Sequence, residues 1–240
     1  MIFLQSSIGG KSMISIRAAK IDDVSMISQI HAFCWRETYA FMPEAVLRSR
    51  SREYRQQQWL DWFDSHEDSD GLFVIESGQQ VVGFCFCCRN KDPDIDGKGE
   101  MHAAYVLPDY RGRETGPIMM LTMVDFLIER CLTPPVLWAF RDNPIRFWYA
   151  QMGWRSQVKR DRVIEGQRLP EVGYVCDDCN RLRQRLQLLI RRYSSENASM
   201  QIPRHSQMPA HQTFPIPIAV SPGNNRKVIE MNQQTPLGPL

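Results

Sequence analysis

A nearly all-apolar run from Thr115 to Arg130 constrains the fold of this 240-residue chain more than any other segment. Its polar positions, Thr122, Asp125 and Glu129, fall on one side at helical spacing, which predicts a helix that is buried over most of its surface. Asp125 interrupts the run, and the apolar stretch is too short to cross a bilayer. The segment therefore predicts a mostly buried helix of a globular domain.

Apolar segments on both sides of this run predict the other elements. Five have the pattern of strands: "MISIRAA" (13–19), "GLFVIES", "VVGFCFCC", "EMHAAYVL" and "PVLWAF". "SGQQ" joins the second and third into a hairpin. Asp22 and Asp23 offer an N-cap for a first helix, and a second helical stretch runs from near Pro43 through "EAVLRSRSREYRQQQWLDWF". "NPIRFWYAQ" predicts a short helix, and "GWRSQV" with "LPEVGYVC" a closing hairpin. This order of elements indicates an α/β fold.

The character of the chain changes after Cys176. "NRLRQRLQLLIRRY" places Leu182, Leu186, Leu189 and Tyr193 on one stripe of an amphipathic helix. We expect this helix to dock on its own domain or to form a homodimer, with an anionic membrane surface as the alternative. Beyond about residue 195 the chain is polar and proline-rich and buries too little apolar surface to offset its entropy. The sequence thus predicts an N-terminal extension (1–12), a domain (13–175), a C-terminal helix (176–195) and a disordered tail (196–240).

Composition excludes several functional classes. The net charge of +2 lacks the basic excess that is typical of nucleic-acid binders, so no nucleic-acid partner is predicted. Seven cysteines, mostly in apolar contexts, favour a reducing compartment over a disulfide framework. The N-terminus has neither the basic nor the apolar region of a signal peptide. We expect a cytoplasmic protein without a membrane span.

The segment "YVLPDYRGRETGP" (105–117) carries the first chemical signal. A strand that ends at Pro108 and turns through Arg111, Gly112 and Arg113 into a helix presents free backbone N–H groups at the helix start. Together with the helix dipole these groups form an anion site that suits a pyrophosphate. By itself the pattern also fits an ordinary strand-turn-helix with surface arginines.

The surrounding sequence sharpens this interpretation. "EMHAAYVLPDYRGRETG", followed by a buried helix, a strand and "RDNPIRFWYAQMGW", resembles the GCN5-related N-acetyltransferase (GNAT) family over about residues 13–175. In that family, a helix-opening Arg/Gln-x-x-Gly-x-Gly/Ala loop binds the pyrophosphate of acetyl-CoA. A later "N-x-x-A-x-x-F-Y-x-x-x-G-F" segment faces the thioester. The resemblance implies a mixed, mostly antiparallel sheet with helices on both sides, with acetyl-CoA as co-substrate and no metal.

The phosphate loop departs from the family pattern at one position. Arg111 matches the first residue of the motif and Gly116 the last, but Glu114 replaces the middle glycine. If the Glu114 side chain points outward, its repulsion of a phosphate is about 1 kcal/mol and rises toward ~4 kcal/mol at close approach. Arg111 and Arg113 flank it and offset part of this, so we expect weakened rather than abolished CoA binding. Thr115 is expected to N-cap the helix.

The second motif departs more subtly. Tyr149 falls on the family tyrosine, whereas Asp142 falls on the asparagine position and Ile145 on the usual alanine. Asn143 lies one residue late and supplies the amide if the segment has slipped by one residue.

The resemblance implies roles for individual residues. The backbones of Ala104, Tyr105 and Val106 are expected to bind the pantetheine arm, with the Val106 N–H as oxyanion donor. The remaining cofactor-binding residues are Arg111, Gly112, Arg113, Glu114, Thr115, Gly116, Asn143 and Tyr149. Tyr149 is the expected acid for the leaving thiolate, and the alternative is an aromatic packed on the sheet.

The general base is left open between two residues. Glu100 begins the strand before the loop, where many family members have a carboxylate that acts through a water. His102 follows two residues later on the same face, and histidine exchanges protons near neutral pH. Both also fit plain polar positions at a strand edge. Glu100 is preferred by a small margin.

The aromatic residues Trp35, Tyr39, Trp59 and Trp62 fit either a lining of the acceptor pocket or core packing. The single pair Cys176 and Cys179 has no second pair for a zinc site. The resemblance implies direct acetyl transfer to a primary amine of a small molecule or a peptide. An open groove beside the "VIEGQRLPEV" hairpin would favour a peptide or protein. The alternative is a non-catalytic GNAT-like binding module, which Glu114, Asp142 and Ile145 would favour.

Overall fold

Seven strands form one sheet in the order β1-β2-β3-β4-β5-β7-β6 in the computed structural model, which describes residues 14–199. The strands are β1 (Ile14–Ala18), β2 (Gly71–Ser77), β3 (Gln80–Arg89), β4 (Gly99–Val106), β5 (Pro135–Phe140), β6 (Arg155–Ile164) and β7 (Gln167–Val175). Neighbouring strands are antiparallel except β4 and β5, which run parallel. The predicted α/β fold with a mixed, mostly antiparallel sheet is confirmed.

Helices cover both faces of this sheet: α1 (Val24–Thr38), α2 (Glu44–Arg48), α3 (Arg52–Ser65), α4 (Thr115–Glu129), α5 (Ile145–Met152) and α6 (Cys179–Ser199). On one face, Trp59 of α3 packs against Phe84 and Phe86 of β3. Cys85 lies between them in the strand and points to the other face, where its thiol contacts the Met119 carbonyl of α4. Successive side chains of a strand alternate, so α3 and α4 lie on opposite faces.

The predicted second helix is wrong in one respect, because it is two helices. α2 ends at Arg48 and α3 begins at Arg52. Between them Ser51 has extended backbone, and its hydroxyl accepts a hydrogen bond from the Tyr54 N–H at 3.2 Å. Serine in this conformation is a favoured N-cap, so it starts a new helix rather than continuing the old one.

The predicted cap of the first helix is also wrong. Residues 21–23 form a single 3-10 turn, and Asp23 makes no side-chain cap of α1. Its carboxylate instead binds the Arg17 guanidinium at 2.7 Å and the Lys20 N–H at 2.8 Å. The hydrogen bond from Arg17 is the main reason that the pKa of Asp23 is lowered. An ion pair to the neighbouring strand has replaced the cap.

The C-terminal helix α6 packs on its own domain. Leu182 and Leu186 are fully buried in the same apolar cluster as α4, and Arg183 pairs with Asp125 of α4. Leu189 and Tyr193 are half-buried. The predictions for residues 1–12 and for the proline-rich tail lie outside the described residues. Among residues 14–199, no helix has the length and apolar character needed to cross a membrane.

Candidate functional site

The sheet opens between β4 and β5. The two strands pair only at Gly99–Pro135 and Glu100–Val136 and then diverge. A cavity of about 290 Å³ lies along this opening and is lined by β4, β5, α4 and α5. The parallel pair therefore leaves the C-terminal half of β4 without a neighbour on one edge.

The free edge of β4 presents backbone groups to the cavity. The Leu107 N–H donates to Val82 of β3 at 2.9 Å. Because N–H groups alternate in direction along a strand, the N–H groups of Ala104 and Val106 point away from β3 and toward the opening. Ala104, Tyr105 and Val106 all line the cavity. Their backbones are thus placed where an extended amide-bearing ligand such as a pantetheine arm fits.

A β-bulge at His102 determines which side chains of β4 face which layer. Met101 is opposite Cys87, but Ala103 is already opposite Phe86, so His102 has no partner on β3. One extra residue reverses the alternation beyond it. Tyr105 therefore points toward α1, where its ring lies 4.8 Å from that of His31. A regular strand would have placed Tyr105 on the α4 side.

The loop before α4 has the features of an anion site. The first bond of the helix runs from the Ile118 N–H to the Glu114 carbonyl, and in the described part of the chain the N–H groups of residues 112–116 donate to no backbone acceptor. Gly112 has a φ of +71°. A Cβ at Gly112 or Gly116 would meet no atom within 4 Å, so the loop is open to an approaching ligand. These groups fit a pyrophosphate at a helix N-terminus.

The backbone conformation and the burial of Glu114 differ from what its place in a glycine position of the motif suggested. Its backbone is ordinary right-handed helical, with φ −63° and ψ −18°, so this position does not demand glycine for conformational reasons. Its Oε2 atom is shielded from solvent and has no hydrogen-bond partner among the described residues. The expected outward-pointing carboxylate is therefore not what the structure contains. Thr115 is the first helical residue and not the N-cap, since Glu114 occupies that position without a side-chain cap.

Arg111 does not turn toward the phosphate loop. Its Nε donates to the Val106 carbonyl at 2.9 Å, and its Nη2 pairs with Glu37 of α1 at 2.7 Å. The same guanidinium reaches the Cys34 thiol at 3.5 Å. Of the two arginines expected to offset Glu114, only Arg113 is left at the exposed mouth of the loop. Arg111 instead connects α1 to the edge of β4.

Tyr149 lies on α5 and lines the cavity. Its ring packs against those of Trp154 and Tyr174. Burial raises the pKa of the Tyr149 hydroxyl above its usual range, and the neighbouring Tyr39 and Tyr174 add to the shift. The hydroxyl therefore stays protonated at neutral pH, which is the state that a proton donor requires.

Asn143, rather than Asp142, reaches the cavity. Its Oδ1 accepts from the Ile145 N–H at 3.1 Å, and its Nδ2 donates to the Tyr39 hydroxyl at 3.3 Å. Asn143 is buried, whereas Asp142 is exposed and pairs with Arg141. The Asn143 amide thus binds the first N–H of α5 and, at the same time, the hydroxyl of Tyr39 at the end of α1.

Glu100 and His102 form a pair on β4. The His102 Nδ1 lies 2.8 Å from Glu100 Oε1, and both side chains are largely buried. His102 lines the cavity and Glu100 does not. The geometry therefore brings the two candidate bases together, with the imidazole facing the cavity and the carboxylate behind it.

The wall opposite α4 is aromatic and hydroxylated. Tyr39 and Tyr105 line the cavity, and the Tyr39 hydroxyl accepts a hydrogen bond from the Asn143 amide at 3.3 Å. Trp35 packs on Tyr39 with ring centroids 4.5 Å apart, while Trp59 and Trp62 pack against Phe86 in the core. The four predicted aromatics therefore divide between pocket wall and core.

The β6–β7 hairpin closes this side. Ile164 and Leu169 of the hairpin are buried against Tyr39, Met42 and Val46 of the α1–α2 region. The hairpin and the α1–α2 region are thus in contact at these residues, where an open groove would have favoured a peptide acceptor.

Sequence reasoning missed Arg55 and Trp138. Trp138 lines the cavity, and Arg55 is buried behind Tyr39 and Tyr105. Arg55 lies four and seven residues before Trp59 and Trp62 on the inward stripe of α3, and this spacing is a signal that could have identified it. Among the described residues no group of three or more His, Cys, Asp or Glu side chains is placed to hold a metal ion.

Comparison with known proteins agrees with this geometry. Residues 26–154 match the model of the acetyltransferase (GNAT) family. The chain is 24% identical over 173 residues to the N-acetyltransferase YuaI of Bacillus subtilis (strain 168), covering 71% of this chain and 97% of YuaI. An N-acetyltransferase of Archaeoglobus fulgidus is 30% identical over 145 residues, covering 58% and 92% of the two chains.

A solved structure has the same fold. Spermidine N-acetyltransferase from Vibrio cholerae, in complex with CoA and spermine, superposes with a TM-score of 0.51 at 15% identity. The match covers 68% of this chain and 94% of the other.

Proposed function

The chain belongs to the acetyltransferase (GNAT) family, and from this premise we propose that it transfers an acetyl group from acetyl-CoA directly to the primary amine of a small molecule. The observation that carries the proposal is the opening between β4 and β5, with the free N–H groups of residues 112–116 at one end and Tyr149 beside it. These groups fit CoA without rearrangement of the sheet. The non-catalytic alternative is not favoured, because the opening, the loop and Tyr149 are all present.

The chain supplies binding and proton transfer. Acetyl-CoA, when bound, supplies an acetyl thioester. The N–H groups of residues 112–116 bind the pyrophosphate, and the free edge of β4 binds the pantetheine arm. The Val106 N–H stabilises the oxyanion, because a backbone donor fixed in a partly dry cleft is worth more than one in water. Tyr149 protonates the departing thiolate.

The base acts from β4. A primary amine must lose a proton before or during its attack, and Glu100 accepts that proton through the His102 imidazole or through a water. The 2.8 Å contact of the two side chains supports a single unit, in which the carboxylate orients the imidazole. No covalent intermediate on the enzyme is needed, because the acceptor amine itself attacks the thioester.

A small acceptor is supported by the closed side of the site. The hairpin residues Ile164 and Leu169 pack in one buried cluster with Tyr39, which supports a small acceptor over an extended chain. The solved relative that is named for spermidine holds spermine, a small amine, which also supports an amine acceptor here. Seven free thiols support a location in the reducing cytoplasm.

The test is a calorimetric titration of acetyl-CoA into the full-length protein, followed by mass spectrometry of a panel of primary amines incubated with both. We expect micromolar binding and a gain of one acetyl group on an amine. No heat of binding at millimolar acetyl-CoA would overturn the proposal.

A further inference from the structure

We propose that the acceptor carries a carboxylate as well as its primary amine, as an amino acid does, and that Arg55 of α3 receives this carboxylate. The inference rests on the proposed acetyl transfer and specifies the substrate class of the same site. It makes Arg55 a specificity-determining residue that does not touch the reacting atoms.

Arg55 is a buried cation without a counter-ion. Its side chain belongs to a residue that is only 6% exposed. Nη1 donates to Gln58 Oε1 at 2.8 Å, whereas Nε is shielded and has no partner among the described residues. Within this part of the chain no carboxylate lies within 4.0 Å of it, since it forms none of the ion pairs found there. Burial lowers its pKa to about 10, so it remains charged at neutral pH. An uncompensated buried charge is strongly unfavourable and calls for an anion.

The groups around Arg55 are also donors. The indole N–H groups of Trp35 and Trp59 are shielded and have no acceptor among residues 14–199. The Arg55 guanidinium lies 5.2 Å from the centre of the Trp35 ring. Arginine and tryptophan side chains offer only donors, and among residues 14–199 the acceptor that is hydrogen-bonded to the guanidinium is Gln58 Oε1, an uncharged amide oxygen. A carboxylate brings two oxygens that accept several hydrogen bonds, including a bidentate pair from arginine.

A half-buried arginine, Arg160, shows which partners this chain gives to a guanidinium that it pairs internally. Arg160 on β6 binds Asp92 and Asp94 at 2.6 Å and Glu171 at 2.8 Å. Its guanidinium also stacks over Trp138 at 3.8 Å. Every side of Arg160 is thus compensated by the chain itself. Arg55 has the same kind of aromatic neighbour and none of the carboxylates, which points to a partner from outside the chain.

The position of Arg55 relates it to the acceptor side of the site. Its guanidinium lies over the Trp35 ring, Trp35 packs on Tyr39 with ring centroids 4.5 Å apart, and the Tyr39 hydroxyl accepts from Asn143. Tyr39 and Tyr105 line the cavity, and Arg55 does not. The carboxylate therefore reaches the guanidinium only with a movement of the tyrosine side chains that separate Arg55 from the cavity. The amine of the same molecule then remains on the cavity side, near His102.

The experiment compares amino acids with their decarboxylated amines. Leucine and phenylalanine are titrated calorimetrically into the full-length protein with CoA present, in parallel with isopentylamine, phenethylamine and spermidine. We expect each amino acid to bind at least about 30-fold more tightly than its amine, as for a buried charge pair. In Arg55→Met this ratio falls to about one. In the matched control Arg52→Met the ratio is kept, because Arg52 lies three residues earlier, is exposed, and donates its side-chain hydrogen bond to Ser25.

Folding is checked separately in each variant. Arg55→Met is expected to unfold at the same temperature as the native chain or higher, because an unpaired buried charge is replaced by an apolar side chain of similar length. Arg55→Lys keeps the charge without the planar fork and is expected to retain an intermediate ratio.

Two results overturn the inference: amines that bind as tightly as the amino acids, or an unchanged ratio in Arg55→Met. Absence of any amino-acid binding overturns it as well. These results are independent of the acetyl-CoA titration. If that titration fails while leucine or phenylalanine binds through Arg55, the proposed acetyl transfer is wrong and the carboxylate site stands.

Discussion

The helical layers on the two faces of the sheet present different kinds of group at β4. The buried face of α4 is mostly apolar, with Met119, Met123 and Leu127 packed against the sheet. Its polar chemistry comes from backbone groups of the loop and of β4. The α1–α3 layer contains His31 and Arg55 among its buried residues, and the Glu100–His102 pair lies on that side of β4. In the proposed function, the α4 layer therefore binds CoA through backbone groups, and the α1–α3 layer contributes charged and titratable side chains.

The largest expected effect tests whether both layers serve one reaction. Tyr149→Phe is expected to lower kcat for acetylation by about 10²–10³-fold, because the leaving thiolate loses its proton donor. The aromatic packing on Trp154 and Tyr174 is kept, so the melting temperature stays nearly constant. Steady-state kinetics and thermal unfolding measure the two quantities. Tyr174→Phe serves as the control, since Tyr174 is not part of the cavity lining. Full activity in Tyr149→Phe would remove Tyr149 from the mechanism.

The next prediction contrasts the stability of the two layers. Leu127 is fully buried in the α4 layer, and Leu127→Ala is expected to lower the free energy of unfolding by about 2–5 kcal/mol through the cavity it leaves. Arg55→Met, in the α1–α3 layer, is expected to leave the free energy of unfolding undiminished. Urea denaturation of both variants compares them directly. Equal losses would show that the α1–α3 layer is optimised for stability and not for binding.

A third prediction concerns the base. Glu100→Gln is expected to reduce kcat/KM on the order of 10²-fold and to change the acidic limb of its pH profile, because the variant can neither accept a proton nor orient His102 as an anion. His102→Gln is expected to have the smaller effect. The pH dependence of kcat/KM in both variants decides whether Glu100 or His102 is the base. A larger loss in His102→Gln would make the imidazole the base.

A fourth prediction uses the pH dependence of stability. Burial, together with the charges of Arg55, His102 and Arg50, lowers the pKa of His31 well below its usual value. Below about pH 6.5 the unfolded chain binds a proton at this residue and the folded chain does not, so stability falls by about 1.4 kcal/mol per pH unit as the pH decreases. Urea denaturation at pH 7.5 and 5.5 measures this loss.

His31→Phe is the matched variant, because its neighbours Trp59, Phe84 and Tyr105 are aromatic. The pH dependence between 7.5 and 5.5 should become weaker in this variant. If the native chain and His31→Phe lose stability equally, His31 is not the group responsible.

The smallest expected effect lies in the α4 layer. Glu114→Gly is expected to increase the affinity for acetyl-CoA by about 5–10-fold, which corresponds to a repulsion of about 1 kcal/mol. Because the backbone at Glu114 is ordinary helical, Glu114→Gln should give a similar gain. Calorimetry of both variants separates charge from shape. A gain in the glycine variant alone would mean that the side chain obstructs the loop by its size.

Most elements of the fold were predictable because their signals are local. The strands β2 and β3, the helix α4 and the closing hairpin each show their period in consecutive residues, and the structure agrees on their type and order. The break between α2 and α3 was missed, because a serine within a helical pattern reads as a helix residue until its backbone conformation is known. Asp23 was misassigned as a cap because its competing partner, Arg17, lies in the neighbouring strand.

The site divides in the same way. The phosphate loop, Tyr149 and the pair on β4 were named from motifs, since backbone donors and a helix start need only a short stretch of sequence. Arg111 was expected at the phosphate and instead binds Glu37, which lies 74 residues earlier. Arg55 carries no motif, and its lack of a counter-ion becomes visible only when all its neighbours are known.

The sequence by itself determined the order of strands and helices, the anion-binding turn and the family to which the chain belongs, because periodicity, turn chemistry and motif spacing are properties of neighbouring residues. Only the tertiary structure decided the bulge at His102, the opening between β4 and β5 and the isolation of Arg55 from every carboxylate of residues 14–199. Each of these depends on the register of distant strands or on which charges meet in space. Whether a buried charge is compensated depends on the atoms around it, and those atoms come from remote parts of the chain.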